Sequence, residues 1–287
     1  MLAAVRIVFT LLKLRIGVAI AASALAGLAA TVGEPVSAGR IVALTLAVLG
    51  AAGAAGAFNH YYERDGDRLM ARTAGRPFAS GVLKPGPVWP LTFLALLGAS
   101  ILLAYASAGT VAALYVFLGA VTYGLVYTVW LKRRTAWNIV VGGLAGSFAV
   151  LAGSAAIDPS PQWVPGILAV VLFLWTPPHF WSLAAAKADD YASAGVPMLP
   201  VIAPEREWTL AILSYTASLA VLSLAPLLFG MGWIYGAFAA AGGGWFLWKS
   251  WTLPRAPSRK AAMATFLASL VQLLLLVSGI FLSKLAE

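Results

Sequence analysis

Apolar residues fill nine long stretches of this chain, and no stretch contains Asp, Glu, Lys or Arg. Each stretch is 18 to 23 residues long, the length that an α-helix needs to cross the hydrocarbon core of a bilayer. The pattern predicts an all-α polytopic membrane protein with nine transmembrane helices in a single domain, residues 1–287. The predicted spans cover about residues 16–33, 41–60, 87–106, 109–131, 137–157, 164–186, 208–229, 231–248 and 262–283.

The composition supports a protein that is solvated by lipid. Hydrophobic residues make up 61% of the chain and charged residues 10%, with a mean hydropathy of +0.90. In an ordinary soluble domain roughly a quarter of the residues are charged. The net charge of +9 would suit nucleic acid, but the basic residues lie in short loops between spans rather than on one soluble face. The sequence therefore predicts a lipid bilayer as partner, and no nucleic acid.

The distribution of basic residues predicts the orientation. If the N-terminus is cytoplasmic, 17 of the 19 Lys and Arg residues lie on the cytoplasmic side, and only Arg40 and Lys284 lie opposite. Such asymmetry is the positive-inside rule. We expect a multi-pass protein of the cell inner (plasma) membrane, because no Arg- and Ser-rich amphipathic presequence precedes the first span. The absence of cysteine excludes thiolate metal sites and cysteine nucleophiles.

Acidic residues are concentrated in two loops. Seven of the ten Asp and Glu residues lie in segments 61–86 and 187–207, which the predicted topology places on the cytoplasmic side. The sequence therefore predicts two acidic cytoplasmic loops that cap the helices.

The first loop contains a stripe of oxygen ligands. If the second span continues as a helix past the bilayer, Asn59, Glu63 and Asp67 lie on one face over about 12 Å. Such a stripe suits Mg²⁺, which takes one or two carboxylates and completes its shell with water and substrate phosphate. A basic row follows one residue later, at Arg64, Arg68, Arg72 and Arg76. The alternative is a solvated helix face carrying i,i+4 ion pairs.

The second loop follows a span that contains adjacent prolines. Pro177 and Pro178 predict a break or kink in the sixth span, with His179 at the wall of a cavity. His179 is either a histidine satisfied by a freed backbone carbonyl or a ligand of the substrate. Asp189 and Asp190 would repel the first acidic loop unless a cation lay between them.

Several motifs together resemble the haem O synthase branch of the UbiA superfamily of intramembrane prenyltransferases. They lie within about residues 13–201 and are Asn59-x-x-x-Glu63-x-x-x-Asp67, Arg72-Thr73-x-x-Arg76-Pro77, Tyr127-Thr128-x-x-Leu131-Lys132-Arg133-Arg134-Thr135-x-x-Asn138, Thr176-Pro177-Pro178-His179-Phe180-Trp181 and Asp189-Asp190-Tyr191. The family usually has Asp where this chain has Glu63.

This resemblance implies a fold, a reaction and a set of site residues. The fold is nine helices around a central cavity, and the reaction is Mg²⁺-assisted ionisation of farnesyl diphosphate to an allylic carbocation. The farnesyl group is transferred to a vinyl group of haem B, giving haem O and free diphosphate. A downstream haem A synthase or terminal oxidase assembly would use the product. The implied catalytic residues are Asn59, Glu63, Asp67 and Asp190; the implied metal ligands are these four and Asp189; the implied substrate-binding residues are Arg68, Arg72, Lys132, Arg133, Lys187, His179 and Tyr127.

Two other functions remain open at this stage. A UbiA-type prenyltransferase that acts on an aromatic quinone precursor would keep the diphosphate site and change the cavity. A transporter would also place broken helices beside a cavity. Its coupling acids normally lie near the middle of the bilayer, and the nine predicted spans contain no acidic residue.

Overall fold

The computed structural model describes residues 2–286, which form helices and loops without any β-strand. The α-helices are α1 (Leu2–Leu11), α2 (Leu14–Ala29), α3 (Ala38–Tyr62), α4 (Arg64–Asp67), α5 (Val88–Val121), α6 (Asn138–Gly142), α7 (Leu144–Ala155), α8 (Trp163–Ala186), α9 (Ala188–Ser193), α10 (Leu199–Ile202), α11 (Glu205–Leu222), α12 (Trp233–Thr252) and α13 (Arg259–Leu285). A π-helical segment, Thr122–Leu131, continues α5, and a 3₁₀ segment, Ala225–Phe229, follows α11.

Within residues 2–286, six helical stretches are long and apolar enough to cross a membrane. They are Ala38–Tyr62, Val88–Leu131, Asn138–Ala155, Trp163–Ala186, Glu205–Phe229 and Arg259–Leu285. A seventh is formed by α1 and α2 together, which are bent by 51° at the break between them. The prediction of an all-α membrane protein is confirmed at this level.

The longest stretch, Val88–Leu131, has 44 residues and turns back at its middle. Gly109 is not helical there, with φ 83° and ψ −178°, a conformation that glycine adopts readily. Beside this break, Arg40 donates from Nε to the carbonyl of Ser107 at 2.6 Å, so Gly109 lies near the start of α3. Lys132, after the π-helical segment, is paired with Glu63 at the opposite end of α3. The chain therefore approaches the start of α3 and returns.

Close packing of α2 against α7 depends on two glycines. A Cβ atom on Gly27 would lie 2.0 Å from the carbonyl oxygen of Val150, and one on Gly153 would lie 1.7 Å from that of Ala24. Small residues allow membrane helices to approach closely enough for dense van der Waals contact. This contact holds together two of the helices that line the cavity described below.

The adjacent prolines do not end α8. The helix continues from Trp163 to Ala186 with Pro177 and Pro178 inside it, so the predicted break in the sixth span is wrong. Thr176 and Ser182 donate from their hydroxyls to carbonyls four residues earlier, at 3.0 and 2.5 Å. Neither bond reaches the carbonyls of residues 173 and 174, which lose their amide donors to the prolines. Membrane helices tolerate internal proline where neighbouring helices bury the backbone, and α8 packs against α7, α11 and α13.

Candidate active site

The three side chains of the predicted stripe, Asn59, Glu63 and Asp67, are buried at the end of α3. The amides of Glu63 and Asp67 donate to the carbonyls four residues earlier, at 2.9 and 2.8 Å, so helical spacing continues into α4. Asn59 is 2% exposed, Glu63 1% and Asp67 0%. The alternative of a solvated helix face is wrong for these three side chains.

Both buried carboxylates are paired with cations. Lys132 donates a short hydrogen bond from Nζ to Glu63 Oε2, and Arg133 Nε lies 3.7 Å from Glu63 Oε1. Arg76 donates from Nη1 to both oxygens of Asp67, at 2.9 and 2.8 Å. A charge can be buried only when it is paired and hydrogen-bonded. Burial lowers the pKa of the Lys132 ammonium, against the opposing effect of Glu63.

Gly66 allows Arg133 to lie against the short helix α4. A Cβ atom on Gly66 would lie 2.0 Å from Nη2 of Arg133. The same guanidinium donates from Nη1 to the carbonyl of Ala194, in the second loop, at 3.3 Å. Arg133 therefore connects the two acidic loops.

Lys13 joins the site from the break between α1 and α2. It has φ 50° and ψ 43°, a left-handed conformation that is uncommon for residues other than glycine and is enriched at functional sites. Its ammonium donates to Asn59 Oδ1 at 2.6 Å and to the hydroxyl of Tyr123 at 2.8 Å. Asn59 in turn donates from Nδ2 to Thr128 Oγ1 at 3.0 Å.

The π-helical segment supplies the aromatic wall of the site. Tyr123 and Tyr127 stack with ring centroids 5.6 Å apart, and Thr128 donates from its hydroxyl to the carbonyl of Tyr123 at 2.8 Å. The backbone amide of Lys132 closes the segment by donating a hydrogen bond to the carbonyl of Tyr127, five residues earlier. π-Helical turns are rare and frequently occur at functional sites.

Two cavities meet at Lys13 and Ile16, which line both of them. The first, which we call the polar cavity, contains about 1160 Å³ of space unfilled by atoms, and its cations include Arg6, Lys13, Arg15, Arg72 and Arg76. The second, which we call the apolar cavity, contains about 620 Å³ and lies between α2, α3, α5 and α7. The residues that line it are glycine or apolar, with three exceptions, which are Lys13, Tyr115 and Tyr123.

The second acidic loop lies directly beside the first. Arg72 donates from Nη2 to the hydroxyl of Tyr191 at 3.3 Å, and Ser193 donates to the carbonyl of Leu69 at 3.0 Å. Burial raises the pKa of the Tyr191 phenol. A third depression is lined by Ala71, Arg72, Ala186, Lys187, Asp189, Asp190 and Arg259. Arg72 lines both this depression and the polar cavity, so the two loops share one surface.

Some predicted site residues lie away from the polar cavity. Asp189 is exposed and accepts from Arg259 Nη2 at 2.8 and 2.7 Å. Arg68 is exposed, donates from Nε to the carbonyl of Ala79 at 2.9 Å, and lies 3.4 Å from Asp65. Within residues 2–286, no group of three His, Asp or Glu side chains forms a ready metal site.

His179 lies between α8 and α13 and lines neither cavity. Its ring stacks on Trp175 at 4.1 Å and is tilted against Phe266 at 4.6 Å, measured between centroids. Its Nδ1 and Ser269 Oγ are joined by a hydrogen bond of 2.6 Å. We use the word cap for the two acidic loops together with the cations packed on them, namely Lys13, Arg72, Arg76, Lys132 and Arg133. The structure thus separates His179 from this charged cap.

Three further residues of the site, Lys13, Arg76 and Tyr123, were not predicted from the sequence. Two of them carry a recognisable signal. Arg76 is the fourth member of the basic row, and Lys13 is a cation shortly before the first span. Tyr123 carries none, because a tyrosine within an apolar span is most simply interpreted as a packing residue.

A helical membrane protein with a cationic cap and buried carboxylates above an apolar cavity is suited to hold an anionic head and an apolar tail. The structure is similar over 99% of both chains to a digeranylgeranylglyceryl phosphate synthase, with a TM-score of 0.81 at 14% identity. It is also similar to a UbiA homologue from Archaeoglobus fulgidus bound to GPP and Mg²⁺, with a TM-score of 0.72 at 15% identity, over 96% of this chain and 99% of that one. The fold is that of the intramembrane prenyltransferases.

The chain belongs to the UbiA prenyltransferase family, whose model matches residues 20–277. Among individual relatives, it is 56% identical to Protoheme IX farnesyltransferase 2 of Paramagnetospirillum magneticum, over 99% of both chains.

The buried pair of Arg76 and Asp67 yields a stability prediction. Arg76→Met leaves the fully buried Asp67 carboxylate without its cation, so we expect the free energy of unfolding to fall by about 3–5 kcal/mol. The double variant Asp67→Asn with Arg76→Met should recover most of that loss, because no unpaired charge remains. Chemical denaturation in detergent micelles measures both changes.

Arg68→Met is the matched control, because Arg68 is exposed and its Asp65 partner is exposed as well. We expect a loss below about 1 kcal/mol for this variant. Equal losses for Arg68→Met and Arg76→Met would contradict the view that the Arg76 pair holds the cap together.

Proposed function

We propose that this chain transfers a farnesyl group from farnesyl diphosphate to a vinyl group of haem B, giving haem O and releasing diphosphate. The observation that carries the proposal is that a cationic cavity adjoins an apolar one, with Lys13 and Ile16 in the walls of both. The name of the 56% identical relative, Protoheme IX farnesyltransferase 2, supports haem as the acceptor in preference to an aromatic quinone precursor. The haem O product would pass to a haem A synthase or to terminal oxidase assembly.

Cations of the cap bind and stabilise the diphosphate leaving group. Lys13, Arg72 and Arg76 line the polar cavity. Lys132 and Arg133 pair with Glu63, and Lys187 lines the depression that shares Arg72 with the polar cavity. When the bond between the allylic carbon and oxygen breaks, its electron pair stays on the diphosphate. Cations fixed in place beforehand stabilise this developing charge without reorganising. Arg68 would contact the diphosphate only after releasing the carbonyl of Ala79.

The donor set at the end of α3 fits a hard divalent cation. Glu63 Oε1 is buried without a hydrogen-bond partner, and a carboxylate has about four lone-pair sites, so Glu63 keeps capacity to coordinate. Asn59, Glu63 and Asp67 would hold Mg²⁺ on one loop, and Asp189 and Asp190 on the other. Bound Mg²⁺ would supply Lewis-acid neutralisation of the diphosphate oxygens. The solved A. fulgidus homologue contains GPP with Mg²⁺.

The apolar cavity protects the allylic cation. Its wall excludes water that would quench the cation early, and the face of Tyr123, which lines the cavity next to Lys13, offers cation–π stabilisation. Tyr127 stacks on Tyr123 and fixes the orientation of that ring. The π electrons of the haem vinyl group then form the new carbon–carbon bond, and addition of water with loss of a proton removes the remaining positive charge.

The membrane arrangement that we propose has nine spans. The six long stretches and the α1–α2 pair account for seven. The turn at Gly109 divides Val88–Leu131 into two spans, and α12 supplies the ninth. The N-terminus and both acidic loops lie on the cytoplasmic side of the plasma membrane, where 17 of 19 basic residues then fall.

Activity is expected to require a divalent cation and both acidic loops. Asp67→Ala and Asp190→Ala should each lower turnover by about two orders of magnitude or more, because each removes a ligand of the diphosphate-bound metal. The measurement is a mass spectrum of the product after the purified protein is incubated with haem B, farnesyl diphosphate and Mg²⁺. Full activity in EDTA, or no farnesylated haem from the unaltered protein, would refute the proposal.

We propose that His179 serves haem rather than diphosphate, because it lies apart from the cap and neutral imidazole is a natural ligand of haem iron. His179→Ala should weaken haem B binding, seen as a lost or shifted Soret band, and leave farnesyl diphosphate affinity nearly unchanged. Ser269→Ala, which removes only the hydrogen bond to Nδ1, should shift the band less. Loss of farnesyl diphosphate affinity with normal haem binding would reverse the assignment.

The nine-span topology can be tested cleanly because the chain has no native cysteine. Single cysteines at Ser80, Thr110 and Ser160 occupy exposed positions. In spheroplasts, a membrane-impermeant maleimide should label Thr110→Cys and Ser160→Cys directly, and Ser80→Cys only after permeabilisation. If Thr110→Cys behaves like Ser80→Cys, residues 88–131 do not form two spans.

A further inference from the structure

The apolar cavity is a narrow slot with one charged end. Its cap end is defined by Lys13, Gly56 and Tyr123. Tyr115 and Val48 precede Tyr123 and Gly56 by eight residues each, which corresponds to about 12 Å along a helix. Since α3 and the returning half of α5 run in the same direction, these two deeper residues lie at one level. The slot therefore extends about two helical turns from the charged cap toward the opposite membrane face.

The deep end of the slot is closed by larger side chains over a dense core. Ile20, Val48 and Tyr115 line it there. All three belong to or pack against a buried cluster of small residues that includes Ala47, Ala112 and Ala152, each 0% exposed. Close-packed interiors leave no room for further chain atoms. An apolar chain that enters at the cap and follows this slot therefore meets these side chains at this level.

Tyr115 is the bulkiest group at that end, and its ring is held in place. The ring stacks on Phe148 with centroids 6.1 Å apart and an interplanar angle of 24°. The α5 residues between Tyr115 and the cap that line the slot are Val116, Gly119 and Ala120, none of which reaches as far across it. Aromatic rings that are fixed by stacking make rigid walls.

We propose that Tyr115 sets the maximum length of the prenyl chain that the enzyme accepts. This inference rests on the proposed function, in which the polar cavity holds the diphosphate and the apolar cavity holds the prenyl tail. A tail that is one isoprene unit longer than farnesyl would meet the Tyr115 ring, and forcing it in would overpack the slot. Tyr115 is thus a specificity-determining residue, distant from the bond that breaks.

The test measures binding of geranyl, farnesyl and geranylgeranyl diphosphates to the full-length protein with Mg²⁺ and without haem. We expect Tyr115→Ala to raise the affinity for geranylgeranyl relative to farnesyl diphosphate by about tenfold or more, since differences of single methylene groups in a pocket already reach that size. Val48→Phe narrows the same end, and we expect it to shift preference toward geranyl diphosphate by a similar factor.

Two controls separate ring volume from other effects. Tyr115→Phe keeps the ring and should keep the native length preference. Tyr105→Ala removes an exposed tyrosine from the other half of α5 and should change nothing. The inference is overturned if Tyr115→Ala, or Tyr115→Leu should the alanine variant not fold, keeps the native preference. The binding measurement contains no haem, so its outcome does not depend on the proposed transfer to haem. Failure of the proposed reaction would be seen separately, as absence of farnesylated haem from the unaltered protein.

Discussion

The burial of two carboxylates at the end of α3 is the constraint on which the rest of the site depends. Glu63 and Asp67 are 1% and 0% exposed, and a buried carboxylate is tolerated only with a cation and hydrogen bonds around it. Lys132 and Arg76 meet that requirement from two different segments. Each ion pair holds a loop against the end of α3. The pairs that compensate the buried carboxylates therefore also bring together the residues of the cationic cap.

The same charges place a cationic cavity directly beside an apolar one. Lys13 is held by Asn59 and Tyr123, and it lines both the polar and the apolar cavity. A prenyl diphosphate has the same polarity along its length. In the proposed function the site would orient its substrate by charge at one end and by shape at the other, and the chain belongs to the UbiA prenyltransferase family.

The sequence was most informative where a single element determines the outcome. Apolar length predicted the membrane helices, and i,i+4 spacing placed Asn59, Glu63 and Asp67 on one face. It was least informative where elements distant in the chain meet. No local pattern determines which cation pairs with Asp67, and none predicts the hydrogen bond between Lys13 and Asn59, which are 46 residues apart. The two prolines of α8 show the same limit, since Pro177 and Pro178 favour a break locally while packing against α7, α11 and α13 sustains the helix.

The most direct test of this account is an experimental structure with Mg²⁺ and a non-hydrolysable farnesyl thiodiphosphate. The account predicts that the diphosphate lies within hydrogen-bond distance of Lys13 and Arg76, near Glu63 and Asp67, with the tail running between α2, α3, α5 and α7 toward Tyr115. A diphosphate held only in the depression between Lys187 and Arg259, with the tail outside the apolar cavity, would contradict it.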